Sequence, residues 1–170
     1  MNEKEILDTY TALIKKFEPK CKKFDGAVAV EIIRDALQSE GFNVSEKDVY
    51  IQGIPIEIDL LIARQGVFPE RRILFRPEDV LVALEIKSRG AFGEQALTTI
   101  AKNFKMIKKA CKSIKCIYVT ISERKSYPKK PTYENINAPA YTLFWNSGPE
   151  DNQEFSDTGE WKLFIEELRK

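Results

Sequence analysis

Histidine is absent from these 170 residues. That gap removes Ser-His-Asp and Cys-His nucleophilic catalysis, His-ligated metal hydrolases and any histidine general base. Cysteine is scarce: Cys21, Cys111 and Cys116 are an odd number without metal-ligand spacing, and they read as reduced core thiols. No apolar run reaches membrane-spanning length, and the opening MNEKEILD carries no signal-peptide pattern. A cytoplasmic protein with no membrane partner is the expectation. An excess of one charge is missing too. With 27 basic and 26 acidic side chains the net is +1, so any basic surface must be local. Chemistry on this chain must therefore run on carboxylates, lysine, tyrosine or a bound ion.

What is present is an ordinary soluble composition, long enough for one domain over 1–170 with a real core. There are no internal repeats and no linker. The chain is organised around Ile54–Arg89, which holds two apolar segments read as strands, Ile56–Ala63 and Val80–Lys87. Side chains alternate along a strand, so Ile56, Ile58, Leu60 and Ile62 share one face with Val82, Leu84 and Ile86. The other face carries Glu57, Asp59, Leu61 and Ala63 in one strand and Leu81, Ala83, Glu85 and Lys87 in the next. In an antiparallel pair with Ala63 opposite Leu81, Asp59 falls opposite Glu85. Three carboxylates and one ammonium then gather at one end of an otherwise apolar sheet. Desolvating them without partners is expensive. A divalent metal explains the cluster; the competing reading is an ion-pair network joining Glu57 to Lys87 and Glu85 to Arg89 or Arg64.

Around this centre, Glu3–Phe17 and Gly26–Ser39 read as amphipathic helices, the second capped by Asp25 and closed by Gly41. Glu31 lies on the flank of its apolar stripe. Val49–Gln52 reads as a short strand turning through Gly53. The sixteen-residue connection Arg64–Asp79 is long for a hairpin and mixes arginines with aromatics. It suits phosphate and base contacts through Arg71 and Arg72, or is a solvated loop with two aromatic anchors. A helix from Glu94 to about Lys112 carries a lysine-rich outer face, either merely solvated or flanking a phosphate backbone. Cys116–Ser122 and Tyr141–Trp145 read as strands, Ser126–Pro139 as irregular, Asn146–Ser156 as a polar loop and Gly159–Arg169 as a closing helix.

The segments Glu57-Ile58-Asp59-Leu60-Leu61-Ile62-Ala63 and Leu84-Glu85-Ile86-Lys87-Ser88-Arg89 resemble the PD-(D/E)xK superfamily of restriction-endonuclease-like nucleases. The nearest pattern is the branch written E-x-D-L-I-A followed by E-x-K-[ST]-R. The resemblance covers Gly26 to Ser122, with Ile58 standing where the pattern's name has proline. It implies an α/β, restriction-endonuclease-like core: a mixed β-sheet of four to five strands flanked by helices. It also implies that Asp59 and Glu85 are metal ligands with the Ile86 carbonyl beside them, and that Lys87 is the catalytic lysine. Glu31 matches the helix glutamate of many members, Glu57 the branch pattern and Gln95 a helix glutamine. Arg71, Arg72, Arg89 and Gln95 are the candidate substrate contacts.

The implied chemistry is hydrolysis of DNA phosphodiester bonds, in host defence or repair, with RNA left open as substrate. Mg²⁺ is the expected ion and Mn²⁺ is also suitable, because hard cations take one or two carboxylates and keep several waters. Lysine beside such an ion orients the attacking water or stabilises developing negative charge. One site cuts one strand, so duplex cleavage favours a homodimer. The alternative is a nucleic-acid-binding module that keeps the fold without cleavage.

Overall fold

The computed structural model describes residues 3–17, 22–88, 93–122, 136–146 and 155–170. Apolar residues at helical spacing build the first two helices. In α1 (Glu3–Phe17), Ile6 and Tyr10 lie one turn apart and are buried. Helix α2 spans Lys22–Ser39, so it starts before Gly26, and Asp25 lies inside it rather than capping it. Its end follows the sequence. Gly41 adopts φ +87°, its amide donates to the Gln38 carbonyl, and the Phe42 amide donates to the Leu37 carbonyl. Those two bonds satisfy carbonyls that the last helical turn leaves without partners.

The sheet has six strands rather than the expected four to five. In chain order the elements are β1 (Asn43–Val44), β2 (Tyr50–Ile51), β3 (Leu60–Ala63), β4 (Leu74–Phe75), β5 (Val80–Lys87), α3 (Glu94–Ala110), β6 (Lys115–Ser122), β7 (Ala140–Asn146), β8 (Phe155–Asp157) and α4 (Glu160–Leu168). The sheet order is β1-β3-β5-β6-β7-β8, with β2 and β4 forming a separate parallel pair. The strands beyond expectation are the edges. β1 has two residues and β8 three, too few for an alternating pattern to be read. β5, β6 and β7 are parallel, and both flanks are antiparallel. Parallel neighbours need a crossover, which α3 supplies between β5 and β6.

The central hairpin keeps its expected register at Leu60↔Leu84, Leu61↔Ala83 and Ile62↔Val82. It then slips by one residue, pairing Ala63 with Val80 instead of Leu81. The extra residue of a bulge turns away from the ladder. Leu81 is accordingly exposed, and Val80 takes the buried place near Ala83. A second correction concerns Ile58, which packs in the opposite core layer from Leu60 and Ile62. Its backbone leaves the sheet to bridge Val49, with amide–carbonyl bonds of 3.0 and 2.9 Å, so strict alternation ends at Leu60.

Each face of the sheet is covered. Leu60, Ile62, Val82, Leu84 and Ile86 pack under Ile6 and Tyr10 of α1, Ile33 and Leu37 of α2 and Phe164 of α4. Leu61, Ala63, Ala83, Cys116 and Tyr118 pack under Leu97, Ile100, Phe104 and Ile107 of α3 and the β2–β4 ribbon. Burial pushes the Cys116 thiol up to about 11, as suits an inert core thiol. Cys111 is also free, and Cys21 lies outside the described residues. The Arg64–Asp79 connection is tied at its roots by the Arg64 amide on the Asp79 carbonyl, 2.9 Å. Of its aromatics, Phe75 is buried in β4 and Phe68 is 88% exposed.

Gly41 tests the helix ending. Its positive φ is strained for any residue with a Cβ, although space around it is open. Gly41→Ala should cost about 1–2 kcal/mol, lowering the melting temperature by several degrees in a thermal-denaturation experiment.

Candidate active site

β5 runs on to Lys87, whereas β3 begins only at Leu60, opposite Leu84. Beyond that last pair the backbone of Ile86 has no β3 partner. Asp59 fills the gap with its side chain: Oδ2 accepts the Ile86 N–H at 2.6 Å. A residue's N–H and C=O leave a strand on the same side, so the Ile86 carbonyl also points toward this edge. The Asp48 amide, 3.3 Å from the Asp59 carbonyl, holds the bend from behind.

Glu85 and Lys87 are two residues apart on β5 and share a face. The Lys87 Nζ lies 2.7 Å from Glu85 Oε1 and 3.6 Å from Asp59 Oδ2. Two carboxylates from two strands thus share one ammonium, and Glu85 is only 8% exposed. Burial raises the carboxyl of Asp59 above its usual value, and Lys87 and the Ile86 amide only partly oppose it. Burial also raises Glu85, and the nearby charge of Asp59 adds to the effect. For Lys87, burial disfavours the charge, but Asp59 and Glu85 outweigh it and hold the ammonium above the usual lysine value. The cluster therefore keeps an excess of negative charge in a poorly hydrated place.

Parallel pairing sets Tyr118 beside Glu85 and Thr120 beside Lys87. Thr120 is fully buried, and among the described residues its Oγ1 has no hydrogen-bond partner. The β-branched run of β6 made it read as an ordinary strand residue. Only the register reveals that its hydroxyl neighbours the catalytic candidate Lys87.

Other candidates lie elsewhere. Glu31 pairs with Arg34 at 2.9 Å and with Lys47 at 3.7 Å. The buried side of its helix packs on the sheet face opposite Glu85 and Lys87, which is why it is not drawn into their cluster. Glu57 accepts a 2.8 Å hydrogen bond from the Tyr50 hydroxyl, so the expected pairing with Lys87 is replaced. Arg64 donates to the Glu78 carbonyl and not to Glu85. Arg71 and Arg72 stand exposed in a turn with positive φ at both. The roots of their loop are at the Ala63–Val80 end of the hairpin, away from the carboxylates. Gln95 is exposed in the first turn of α3, and Arg89 lies outside the described residues.

No family model and no curated protein sequence matches the chain. Solved structures do match, over nearly its whole length. NucC from P. aeruginosa ATCC27853 in its cAAA-bound form has a TM-score of 0.63 at 10% identity, covering 98% of this chain and 87% of that one. The cAAA-bound form of E. coli MS115-1 NucC gives 0.63 at 11% identity over 98% and 86%. Its apo form gives 0.57 at 10% over 99% and 92%. The fold is that of the restriction-endonuclease-like nucleases. At such identity the likeness is one of fold, so the roles of individual residues rest on the geometry just described.

In this restriction-endonuclease-like fold, the cluster sits at the carboxyl end of a parallel strand, where open α/β sheets place their ligands. Among the described residues no three acidic, Cys or His side chains group as a metal site. The donor set still fits a hard cation: two desolvated carboxylates, a backbone carbonyl on the same edge and net negative charge.

Carboxyl groups that hold protons more tightly folded than unfolded favour the folded state at low pH. That advantage fades as pH rises from the ordinary carboxylate range through the raised values. Without metal, stability should therefore decline across this window, and Asp59→Asn should flatten the decline and leave the neutral-pH melting temperature equal or higher. Lys87 acts in the same direction in a higher window: its raised pKa favours the folded state until pH climbs past the ordinary lysine range. Melting curves from pH 4 to 10 in EDTA would show the carboxylate decline; a clear loss of stability in Asp59→Asn at neutral pH would instead mark a structural ion pair.

Thr120→Val removes an unpartnered buried hydroxyl while keeping its shape. It should leave stability unchanged or raise it by about 1 kcal/mol, a shift of a few degrees in melting temperature. A marked drop would mean that the hydroxyl has a partner in solution.

Proposed function

We propose that this chain, as one domain, is a metal-dependent endonuclease that hydrolyses DNA phosphodiester bonds. The observation that carries the reading is the shared Asp59–Lys87–Glu85 cluster at the end of β5. Asp59, Glu85 and the Ile86 carbonyl would hold Mg²⁺ or Mn²⁺. Bound there, the ion would supply Lewis-acid stabilisation of the phosphoryl oxygens and a more acidic water. Hydrolysis forms one P–O bond to the water oxygen and breaks the P–O bond to the leaving sugar oxygen, which takes up a proton. Lys87, within reach of both carboxylates, would place a cation beside the reacting phosphate. There it would stabilise developing negative charge or orient the attacking water. The Ile86 amide anchors Asp59 Oδ2 at the end of β3.

Arg71, Arg72, Arg89 and Gln95 remain candidate substrate contacts, and Glu31 would act only after release from Arg34 and Lys47. That engagement of Glu31 favours a second reading, a nucleic-acid-binding module without cleavage. A cleavage assay on single-stranded, duplex and branched DNA with Mg²⁺ or Mn²⁺ separates the two. Lys87→Ala should retain DNA binding and lose on the order of 10²–10³ in rate, while Asp59→Ala should lose nearly all cleavage. DNA binding with no metal-dependent cleavage in the unmodified protein would leave the binding module.

A further inference from the structure

A strip of cations on α3 stands apart from the candidate active site. Lys102, Lys105, Lys108, Lys109 and Lys112, the last just past the helix end, are all exposed. At about 100° per residue they fall within roughly a third of the helix circumference, beside the buried stripe of Leu97, Ile100, Phe104 and Ile107. From Glu94 to Lys112 the only acid is Glu94. Since the whole chain carries a net charge of just +1, its positive charge is concentrated here and the remainder is net acidic.

The strip is also unpartnered. Among the described residues none of its five ammonium groups forms an ion pair, whereas Arg34, Lys47, Lys87, Lys115, Arg169 and Lys170 all have carboxylates in reach. Lys105–Lys109 and Lys108–Lys112 are like-charged pairs at i,i+4, which weaken a helix by about 0.2–0.5 kcal/mol each. A merely solvated face is usually laced with acids that remove this repulsion. A strip that keeps its repulsion calls for an external polyanion.

Topology says where that polyanion would lie. As the crossover between parallel β5 and β6, α3 starts near the Lys87 end and runs back along the strands. The lysines occupy the helix from roughly 12 to 27 Å beyond its start. Only an extended ligand reaches both the lysines and the carboxylates. We propose that the lysine strip of α3 is a contact surface for the phosphate backbone of duplex DNA, engaged by the same molecule that enters the Asp59–Glu85–Lys87 site. The proposal rests on the nuclease reading for its substrate and adds where that substrate is held. A duplex presents a charge every ~1.7 Å of axis, so a rod along the strip meets phosphates throughout.

The test measures binding of a fluorescent 30-base-pair duplex by anisotropy across a salt series in EDTA. Lys102→Gln/Lys105→Gln/Lys109→Gln should reduce the slope of log affinity against log salt by about 0.9 per lost contact, and Lys162→Gln on α4 should leave it unchanged. Lys108→Gln/Lys112→Gln is a second variant on the same strip, and melting curves of both should show stability equal or higher. Unchanged slopes in both variants, with metal-dependent cleavage by the unmodified protein intact, would overturn the strip alone. An equal or larger slope loss on duplex RNA would overturn the assignment to DNA. No DNA binding and no cleavage by the unmodified protein would overturn the nuclease reading and this surface with it.

Discussion

One ammonium shared between two poorly hydrated carboxylates is the constraint on which this molecule turns. Like charges so close and so dry repel, and nothing in the local sequence of either strand would hold them together. The sheet does it. Leu60↔Leu84, Leu61↔Ala83 and Ile62↔Val82 lock β3 against β5, and both faces of that pairing are buried, so the register has no room to slip. The hydrophobic layers thereby fix a cluster that electrostatics alone would disperse. The bulge at Ala63–Val80 falls at the other end of the hairpin, so irregularity is absorbed where no charge is at stake.

How much of this was legible depends on element length. β5 and β6, eight residues each, announce themselves through β-branched and apolar runs, and α3 through its periodicity. The gathering of Asp59, Glu85 and Lys87 at one end of the hairpin was also legible, because an antiparallel hairpin leaves few registers that bury its apolar residues; the ladder itself stops at Leu60↔Leu84. Edge strands of two and three residues left no pattern to read. The placement of Ile58 was hidden for a different reason. Its direction follows from the bridge to Val49, a contact that strand alternation does not encode. Glu57 was misassigned on the same ground, since the bend that carries it to Tyr50 lies outside the ladder.

Glu31 shows the limit of motif transfer. Its place on the helix before the strand acids matches the pattern, but that place says nothing about which cations lie nearer. Arg34 sits one turn along the same helix and also reaches Glu46 at 2.7 Å, while Lys47 approaches from the loop after β1. These pairs are local and partly exposed, hence individually weak. They suffice to set where Glu31 rests when no stronger charge competes.

The same reasoning bears on Lys87. Its ammonium lies within reach of both carboxylates and neutralises one of them, leaving the pair a unit of charge short of balance. On the proposed nuclease reading, Asp59 and Glu85 would hold a divalent ion that supplies the missing charge, and the ammonium would be free to turn toward a phosphate. Lysine is suited to such an exchange, being a compact charge on a flexible stem, where a forked arginine would stay bound to both acids. Asp59 need not move, because its Oδ2 is anchored by the Ile86 amide and not by Lys87 alone. A carboxylate anchored by a backbone amide, a second buried on a sheet face and an ammonium on a flexible stem thus divide the mechanical roles of the cluster.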